Sequence, residues 1–414
     1  MSLADRIETL TIDQLGHRGD GVATLDGAAV YVPYALAGET VRARIEDGRA
    51  ELLEVVEPSP ERQAPACRHF GSCGGCALQH LAAEPYLAFK RDLVVEALKA
   101  RGLDTPVAAT TPIAPGTRRR AVLSAVRTGK GVALGYHALK SHQVVHISEC
   151  PVLVPEIVAA LPRLSRLAAI AAPRRGALRM TVLAADNGLD IHLTDTAKLT
   201  DDLRQQLVRH TLEADHARLA IDDETILETR PPVLDMAGTK ALPVPGGFTQ
   251  ASAAAESGLF SAIAPALART KRVTELFSGI GTFTLRIARE HAVEAFEGDA
   301  AAVDALRTTA RHGSGLKPIA AERRDLFRRP LMARELKKAE AVVFDPPRAG
   351  AKDQATALAS SNVPTVVAVS CNPATLARDV RLLVDGGYRL TTVQPVDQFL
   401  WSPHIEVVAT LTKG

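Results

Sequence analysis

The chain has 414 residues, of which 46% are hydrophobic and 23% charged, and its formal net charge is +2. This composition is typical of a folded globular protein and excludes a fibrous or largely disordered chain, and the length predicts two or three domains. No run of about 18 uncharged apolar residues occurs, and the first residues lack the apolar core of a signal peptide. We therefore expect a cytoplasmic protein without membrane spans. Nothing in the composition bears on the oligomeric state, for which a monomer is the default expectation.

The charges are segregated along the chain. Residues 1–60 hold five Lys/Arg against eleven Asp/Glu, whereas residues 61–180 hold seventeen against seven. A basic section of this kind is the electrostatic footprint of a protein that binds phosphates, although a solvated basic surface would have the same composition.

The first elements along the chain are short strands. Residues 5–57 contain four strand-like segments separated by turn glycines at even spacing, which predicts a small β-barrel over residues 1–60. A proline-rich polar linker at 57–65 leads into a cysteine-bearing loop at 67–80. Residues 84–102 have helical spacing. We expect residues 61–245 to form a central α+β domain, while the helix near 84–102 could pack on the C-terminal domain instead.

Four of the five cysteines belong to this central section. Cys67, Cys73 and Cys76 have the spacing C-x5-C-x2-C, and Cys150 is followed by a proline. In a cytosolic protein, grouped cysteines more often bind metal than form disulfides, and four thiolates suit a metal site. A zinc ribbon has two C-x2-C knuckles and only one is present, so the pattern alone leaves zinc and iron–sulfur about equally supported.

The segment 117–146 contains no acidic residue, and we predict that its basic side chains contact RNA phosphates. The candidates are Arg118, Arg119, Arg120, Arg127 and Lys130. His69, Phe70 and Tyr136 could stack on unpaired bases.

From residue 246 onward, apolar strands alternate with helical patterns. This succession predicts an open, mostly parallel sheet, a Rossmann-like domain over 246–414, whose ligands bind outside the carboxyl ends of its strands. The stretch ELFSGIGTFTL (275–285) predicts a strand, a turn with Gly279 and a helix start, but lacks the features of a dinucleotide or P-loop motif. Glu297 and Asp325 follow at the next strand ends, where carboxylates bind ribose and base. The pattern favours a turn that binds S-adenosylmethionine over a turn whose glycines serve only the backbone.

Two later stretches also place reactive side chains at strand ends. In VVFDPPRAG (342–350), two prolines stiffen the loop, which could present Asp345 and Arg348 to a ligand. The alternative is that the loop is only a rigid connection between two elements. Arg348 stands where amino-group methyltransferases tend to carry an aromatic residue, which argues against an exocyclic nitrogen as the target. In VVAVSCNPATLARDV (366–380), Cys371 lies between a strand and a helix whose first turn accommodates Pro373. A helix N-terminus stabilises a thiolate, so Cys371 is a candidate nucleophile, with a packed core cysteine as the alternative.

The stretch SCNPATLARDV, with DPPRAG upstream and DQFLWSPHIEVVATL (397–411) downstream, resembles the uracil-C5 RNA methyltransferase family over nearly the whole chain. The resemblance implies an N-terminal TRAM domain, S-adenosylmethionine as the cofactor, RNA as the partner and a [4Fe-4S] cluster on the four grouped cysteines. With all four thiolates on iron, the cluster would be structural or contact RNA. Cys371 matches the nucleophile that adds to C6 of uracil, and Glu406 matches the base that removes the C5 proton. The alternative for Glu406 is a solvated carboxylate in an edge strand.

The resemblance also implies cofactor contacts, and it assigns substrate orientation to Arg348 and His404. The cofactor contacts are Gln250, Phe277, Thr282, Glu297, Asp325 and Asp345, to which the turn adds Gly279. Two positions depart from the family pattern, because Ser252 replaces an asparagine and Ser278 replaces a cysteine that many members have.

The combination of a barrel with a cluster favours 23S rRNA as the substrate, with the tRNA T-loop as the alternative. An RNA cytosine-C5 methyltransferase is less well supported because its usual Pro-Cys loop is absent. A non-enzymatic iron–sulfur RNA-binding protein is disfavoured by the intact Cys371 and Glu406.

Overall fold

The structure is a computed structural model that describes residues 6–46, 48–129 and 131–414. Three large sheets follow one another along the chain, with six, seven and seven strands. Within the described ranges, none of the helices combines the length and the apolar character needed to cross a membrane.

The N-terminal sheet has the strand order β1-β5-β6-β4-β3-β2. Its strands are β1 (Arg6–Thr11), β2 (Gln14–Leu15), β3 (Gly21–Leu25), β4 (Ala28–Val32), β5 (Thr40–Glu46) and β6 (Arg49–Glu57). Val41, Ala43 and Ile45 alternate along β5 and face a single core. The sheet curls until β1 also lies against β3. This is the small barrel-like domain that the sequence predicts.

The central sheet has the order β13-β12-β11-β10-β7-β8-β9. After the N-terminal sheet, the elements are α1 (Ala83–Lys99), β7 (Arg120–Thr128), β8 (Gly131–His137), β9 (Val144–His146), α2 (Pro155–Ala171), β10 (Leu178–Ala185), β11 (Gly188–Thr194), α3 (Asp201–Glu213), β12 (Arg218–Ile221) and β13 (Glu224–Glu228). Buried leucines along α2, such as Leu161 and Leu164, pack with Leu123 of β7 and Ile191 of β11 in one core.

The C-terminal sheet has the order β18-β17-β16-β19-β20-β22-β21. The remaining elements are β14 (Leu234–Met236), β15 (Thr239–Ala241), α4 (Ala253–Leu267), β16 (Arg272–Leu276), α5 (Thr284–Ile287), β17 (Ala292–Glu297), α6 (Ala300–His312), β18 (Ile319–Arg323), β19 (Ala341–Phe344), α7 (Lys352–Ala359), β20 (Thr365–Ser370), α8 (Pro373–Asp385), β21 (Arg389–Val396) and β22 (Glu406–Thr412).

The pairs from β18 to β20 are parallel, as predicted, while β22 lies antiparallel between β20 and β21. Parallel strands are buried on both faces, which is why β19 and β20 are continuously apolar. Because β22 is an interior strand, the edge-strand interpretation of Glu406 is wrong.

Two segments before residue 245 pack with the C-terminal sheet. Val94 and Leu98 of α1 share a core with Val380 of α8. The chain after α1 then runs along β21, where the Ala108 amide donates to the Val393 carbonyl at 2.9 Å. The hairpin of β14 and β15 packs with α4. The helix near 84–102 therefore packs on the C-terminal domain, the alternative that the sequence left open.

A buried ion pair joins α1 to the loop that precedes β22. The Lys90 ammonium donates to Asp397 Oδ1 at 2.7 Å, to the Phe399 carbonyl at 3.2 Å and to the His404 carbonyl, and neither side chain of the pair is more than 1% exposed. The Tyr86 hydroxyl donates to Asp397 at 2.8 Å. All three ammonium protons therefore have an acceptor, which is what makes a buried lysine tolerable.

We expect Asp397→Asn to lower the melting temperature sharply, because it leaves the Lys90 charge buried without a counterion. Breaking one side of a buried pair costs about 3–5 kcal/mol, which for a domain of this size is a drop on the order of 10 °C. The matched control is Arg204→Gln, which breaks the exposed pair with Glu224 and should leave the melting temperature nearly unchanged. Equal shifts of the two melting temperatures, measured by scanning calorimetry, would contradict this account.

Candidate active site

A cavity of about 530 Å³ opens at the carboxyl ends of the parallel strands in the C-terminal sheet. All nine predicted catalytic and cofactor residues line it, namely Cys371, Glu406, Gln250, Phe277, Gly279, Thr282, Glu297, Asp325 and Asp345. Arg348 lines it as well. The strand ends therefore bring together residues that are up to 156 positions apart in the chain, from Gln250 to Glu406.

The turn after β16 forms one wall of the cavity. Phe277, Gly279 and Gly281 all have positive φ, at 61°, 55° and 96°. A Cβ at Gly281 would lie 2.5 Å from a Leu306 methyl carbon, so only glycine fits there. The left-handed Phe277 is the strained residue of this turn, and strain of this kind is concentrated at ligand sites.

Two carboxylates, those of Glu297 and Asp325, lie beside this turn. Glu297 accepts hydrogen bonds from the Gly279 amide at 2.9 Å and from the Asp299 amide at 2.8 Å, which leaves about two lone-pair positions on the carboxylate. Asp325 accepts from the amides of Phe327 and Arg328. The sequence analysis missed Phe327, whose half-exposed ring lies 5.4 Å from the Phe277 ring. An isolated aromatic residue two positions after a strand-end aspartate was the available signal.

The candidate nucleophile, Cys371, lies directly before the N-cap residue of α8. Asn372 caps this helix by accepting from the Ala374 amide, and Pro373 is its first residue, as predicted. The Asn372 side chain also donates to the Arg348 carbonyl at 3.1 Å, and the Thr375 hydroxyl donates to the same oxygen at 3.3 Å. These bonds tie the Asp-Pro-Pro-Arg loop to the helix start and thereby hold Arg348 beside Cys371.

The pKa of Cys371 is raised, contrary to the expectation of a stabilised thiolate. Burial raises the pKa of this thiol to about 11, the carboxylates of Glu406 and Asp345 act in the same direction, and Arg348 opposes them. Burial likewise raises the pKa of Asp345 to about 7. It also raises the pKa of Glu406 well above its usual range, and the nearby Asp345 adds to this effect. Desolvation next to two carboxylates thus outweighs the helix dipole at this thiol.

Two glutamines connect these carboxylates. Gln250 donates to Asp345 Oδ2 at 3.0 Å. Gln398 donates from one amide nitrogen to Gln250 Oε1 at 2.7 Å and to Glu406 Oε1 at 3.1 Å. The sequence analysis did not single out Gln398, although it is a polar residue that the structure buries within the DQFLW stretch.

A second buried carboxylate was also missed. Glu275 lies in β16, lines the cavity and accepts a hydrogen bond from the Thr284 hydroxyl. Burial raises the pKa of Glu275 to about 8. A glutamate inside the otherwise apolar segment of a buried strand was the signal.

The four other cysteines line a separate cavity of about 320 Å³. These are Cys67, Cys73, Cys76 and Cys150, all with free thiols. The Gly75 amide donates to the Cys73 sulfur at 3.5 Å, and the amides of Val152 and Leu153 bond to the Cys150 sulfur. Within the described parts of the chain, no three histidine, cysteine or acidic side chains have the spacing that a single metal ion requires.

The cysteine cavity adjoins the active-site cavity. Phe399 lines both of them. The amides of Ala77 and Leu78, next to Cys76, donate to the Trp401 carbonyl at 2.8 and 3.0 Å. The cysteine loop and the loop that carries Gln398 are therefore directly bonded to each other.

The predicted RNA-contacting residues have different surroundings. Arg119 is 7% exposed and forms an ion pair with the buried Glu256, so it does not face solvent as a phosphate contact would require. Arg127 donates to the carbonyls of Ala169 and Ala172 at the end of α2, which assigns it a capping role. Lys130 lies outside the described residues.

Arg118 and Arg120 remain partly exposed on the central sheet. Arg118 lines the cysteine cavity, and Arg120 donates to the Gly246 carbonyl. Burial lowers the pKa of Arg120, and the positive charges of Arg118 and Arg179 add to this effect, so the three form a basic cluster. The sequence analysis missed Arg179, which a strand pairing brings beside β7. Phe70 packs edge-on against Tyr34, and Tyr136 packs under Gly75, so both line the cysteine cavity.

The seven-stranded sheet with its cofactor turn and strand-end carboxylates defines an S-adenosylmethionine-dependent methyltransferase. Comparison with known families is more specific. The pattern of the tRNA (Uracil-5-)-methyltransferase family matches residues 178–414, and that of the TRAM domain matches residues 6–54. The chain belongs to this family of RNA uracil-C5 methyltransferases.

Individual relatives agree with this assignment. An uncharacterized RNA methyltransferase of Brucella suis is 51% identical over 98% of both chains. The 23S rRNA (uracil(1939)-C(5))-methyltransferase RlmD of Halomonas elongata is 35% identical over 97% of this chain and 89% of its own. The solved tRNA (uracil-54, C5)-methyltransferase of Pyrococcus abyssi, in complex with S-adenosyl-L-homocysteine, has the same fold, with a TM-score of 0.76 at 24% identity over 98% and 99% of the two chains.

We expect Glu406→Gln to lower the pKa of Cys371, because it removes one of the two carboxylates that disfavour the thiolate. Alkylation of Cys371 by iodoacetamide at pH 8–9 should then be faster in the variant, by about tenfold for each unit of pKa. Mass spectrometry of the Cys371 peptide measures the rate. Glu297→Gln, at the cofactor end of the cavity, is the control and should leave the rate unchanged; an unchanged rate in Glu406→Gln would contradict the electrostatic account.

Proposed function

We propose that this protein forms 5-methyluridine in RNA through a covalent bond between Cys371 and the target uracil, with 23S rRNA as its substrate. The observation that carries the proposal is a single cavity lined by a thiol at a helix start, two buried carboxylates and a glycine turn of the cofactor-binding type. The combination matches what uracil C5 chemistry requires, because C5 is a poor nucleophile until a group adds at C6.

The reaction begins with the Cys371 thiolate, which forms an S–C6 bond and pushes the ring electrons toward C5 and O4. Arg348, whose charge already favours the thiolate, stands where it can also stabilise the enolate oxygen. S-adenosylmethionine, when bound, supplies the methyl group for C5, and the cofactor itself carries a positive charge. Glu406 then takes the C5 proton, the C5–C6 double bond re-forms and the S–C6 bond breaks to return the thiolate.

The raised pKa of Glu406 suits a base that must hold a proton at neutral pH after removing it from C5. When ionised, Asp345 can accept a hydrogen bond from the uracil N3–H. Cytosine has no N3–H, so this pairing favours the uracil product over the cytosine alternative. The target base must leave any stack to enter the cavity.

The turn after β16 fits an adenosine cofactor. Glu297 keeps lone pairs for ribose hydroxyls, and the Phe277 and Phe327 rings offer apolar faces beside Asp325. Thr282 and the strained Phe277–Gly281 backbone complete the wall. Ser252 caps α4 by accepting from the Ala255 amide, so its difference from the family asparagine affects a helix start next to Gln250.

The four cysteines fit an iron–sulfur cluster, and we propose a [4Fe-4S] cluster there. Four thiols surround a cavity, and backbone amides donate to the sulfurs of Cys73 and Cys150, as is common around such clusters. If all four cysteines bind iron, the cluster would join four points of the chain and act as a structural cross-link. These cysteines are Cys67, Cys73, Cys76 and Cys150. The chain's own bonds from Ala77 and Leu78 to Trp401 would pass that rigidity to the active-site loop.

The RNA surface that we propose comprises Arg118, Arg120 and Arg179, with Arg348 at the cavity. The first three lie between the cysteine cavity and the Gly246 backbone beside the active site. Clustered arginines of this kind neutralise phosphates and fix the register of the RNA without reading its sequence. The resemblance to the 23S rRNA enzyme of Halomonas elongata, at 35% identity over 97% of this chain, favours ribosomal RNA; a tRNA T-loop is the second candidate.

Incubation with labelled S-adenosylmethionine and separate pools of unmodified 23S rRNA and tRNA should give labelled 5-methyluridine in the rRNA. Cys371→Ala should reduce turnover by at least about 1,000-fold, as loss of a nucleophile does. Glu406→Gln should reduce it about 100- to 10,000-fold and accumulate a protein–RNA adduct on denaturing gels. Glu290→Gln, an exposed carboxylate, is the control. Methylcytidine as the sole product, or full turnover by Cys371→Ala, would refute the proposal.

Anaerobic reconstitution should give about four iron and four sulfide per chain, with the broad visible absorption of a cluster. Cys150→Ser should lose this signal, because it removes one ligand. Cys371→Ser is the matched cysteine control and should keep it. Zinc at about one per chain without iron would favour the zinc alternative and contradict the cluster.

A further inference from the structure

We propose that Gln398 is a positioning residue for Glu406, which holds the base so that only one of its carboxylate oxygens is free to take the C5 proton. The inference rests on the proposed function, since it assigns a partner to the base of that reaction. It goes further by naming a residue that acts on proton abstraction alone.

The hydrogen bonds fix which oxygen of Glu406 is occupied. Gln398 Nε2 donates to Glu406 Oε1 at 3.1 Å. The other oxygen, Oε2, is buried and has no hydrogen-bond partner among the residues that the structure describes. A buried acceptor without a partner is costly, so Oε2 is the atom with the most to gain from a proton.

The orientation of both amides follows from the two carboxylates at the ends of the chain. Gln250 donates its nitrogen to Asp345 and therefore turns its oxygen toward Gln398. Gln398 then has one amide proton for Gln250 and one for Glu406. Reversing either amide would place two acceptors against each other, so each amide has one favoured orientation.

The position of Gln398 is itself fixed from two sides. Its side chain is 5% exposed, and the preceding residue is held by the buried pair of Asp397 with Lys90 and by Tyr86. The carbonyl of the next residue, Phe399, accepts a hydrogen bond from Lys90 as well. An amide held at this spot cannot follow the carboxylate if Glu406 moves, so it sets the place of the carboxylate.

Because charged groups surround Glu406, the hydrogen bond from Gln398 affects the pKa of Glu406. Burial raises the pKa of Glu406, Asp345 adds to this effect, and Gln398 lowers the pKa by hydrogen bonding. Cys371 and Arg348 line the same cavity. Without the amide, Glu406 gains a proton at a higher pH. Since the base acts only when ionised, the acidic limb of the pH–rate profile should then move to higher pH.

The experiment compares Gln398→Met, which keeps the size but removes the donor, with Gln398→Glu, which adds a like charge. We expect adduct release to slow about 10- to 100-fold in Gln398→Met at pH 7, the range for a lost hydrogen bond to a charged group. The acidic limb should move upward, further in Gln398→Glu than in Gln398→Met. Release should recover at alkaline pH, and formation of the methylated adduct in a single turnover should stay within about threefold of wild type.

Gln394→Met is the matched control, because Gln394 bonds to the Ala109 carbonyl and not to Glu406. Wild type forming 5-methyluridine and Glu406→Gln trapping the adduct test the proposed function separately. Against that background, wild-type release and an unmoved acidic limb in Gln398→Met would overturn this inference alone. Equal slowing of formation and release without recovery at alkaline pH would also overturn it, since that is the behaviour of a merely structural residue.

Discussion

Desolvation of three acidic groups in one cavity is the constraint around which the C-terminal half is arranged. Cys371, Asp345 and Glu406 lie at the ends of three adjacent strands, where burial and mutual repulsion disfavour their charged forms. The hydrogen-bonded amides of Gln250 and Gln398 and the guanidinium of Arg348 stabilise the charged forms and so oppose this effect. Burial therefore favours the protonated forms of these groups, and a positively charged cofactor would complement the site.

The sequence predicted those features that depend on strand ends. In a parallel sheet, the carboxyl ends of all strands meet at one edge, so Glu297, Asp325, Asp345 and Cys371 could be placed together without any knowledge of the packing. Turn glycines and the proline at the start of α8 were also readable, because they depend on local backbone geometry. The alternation of strands and helices in the C-terminal domain was predicted from its apolar periodicity, and the N-terminal barrel from its evenly spaced turn glycines.

Features that depend on distant partners could not be read from the pattern. Arg119 looks like its neighbours in the basic segment, yet its partner Glu256 is 137 residues away. The raised pKa of Cys371 depends on its burial and on Glu406, which lies 35 residues later in the chain but at the start of the strand that pairs directly with β20. Gln398 differs from any other glutamine only through what surrounds it. The acidic barrel is a similar case, because its Arg42 and Arg44 pair with glutamates of β6 and so contribute little free positive charge.

The buried pair of Lys90 and Asp397 joins residues that are 307 positions apart. At about 5–20 residues per second, a ribosome reaches Asp397 roughly 15–60 s after it has made Lys90. Until then the α1 lysine must stay hydrated, so α1 cannot settle into its final core while the chain is being synthesised. A nascent chain that stops before β21 is complete leaves this charge without its counterion, and the molecule thereby ties its final packing to full-length synthesis.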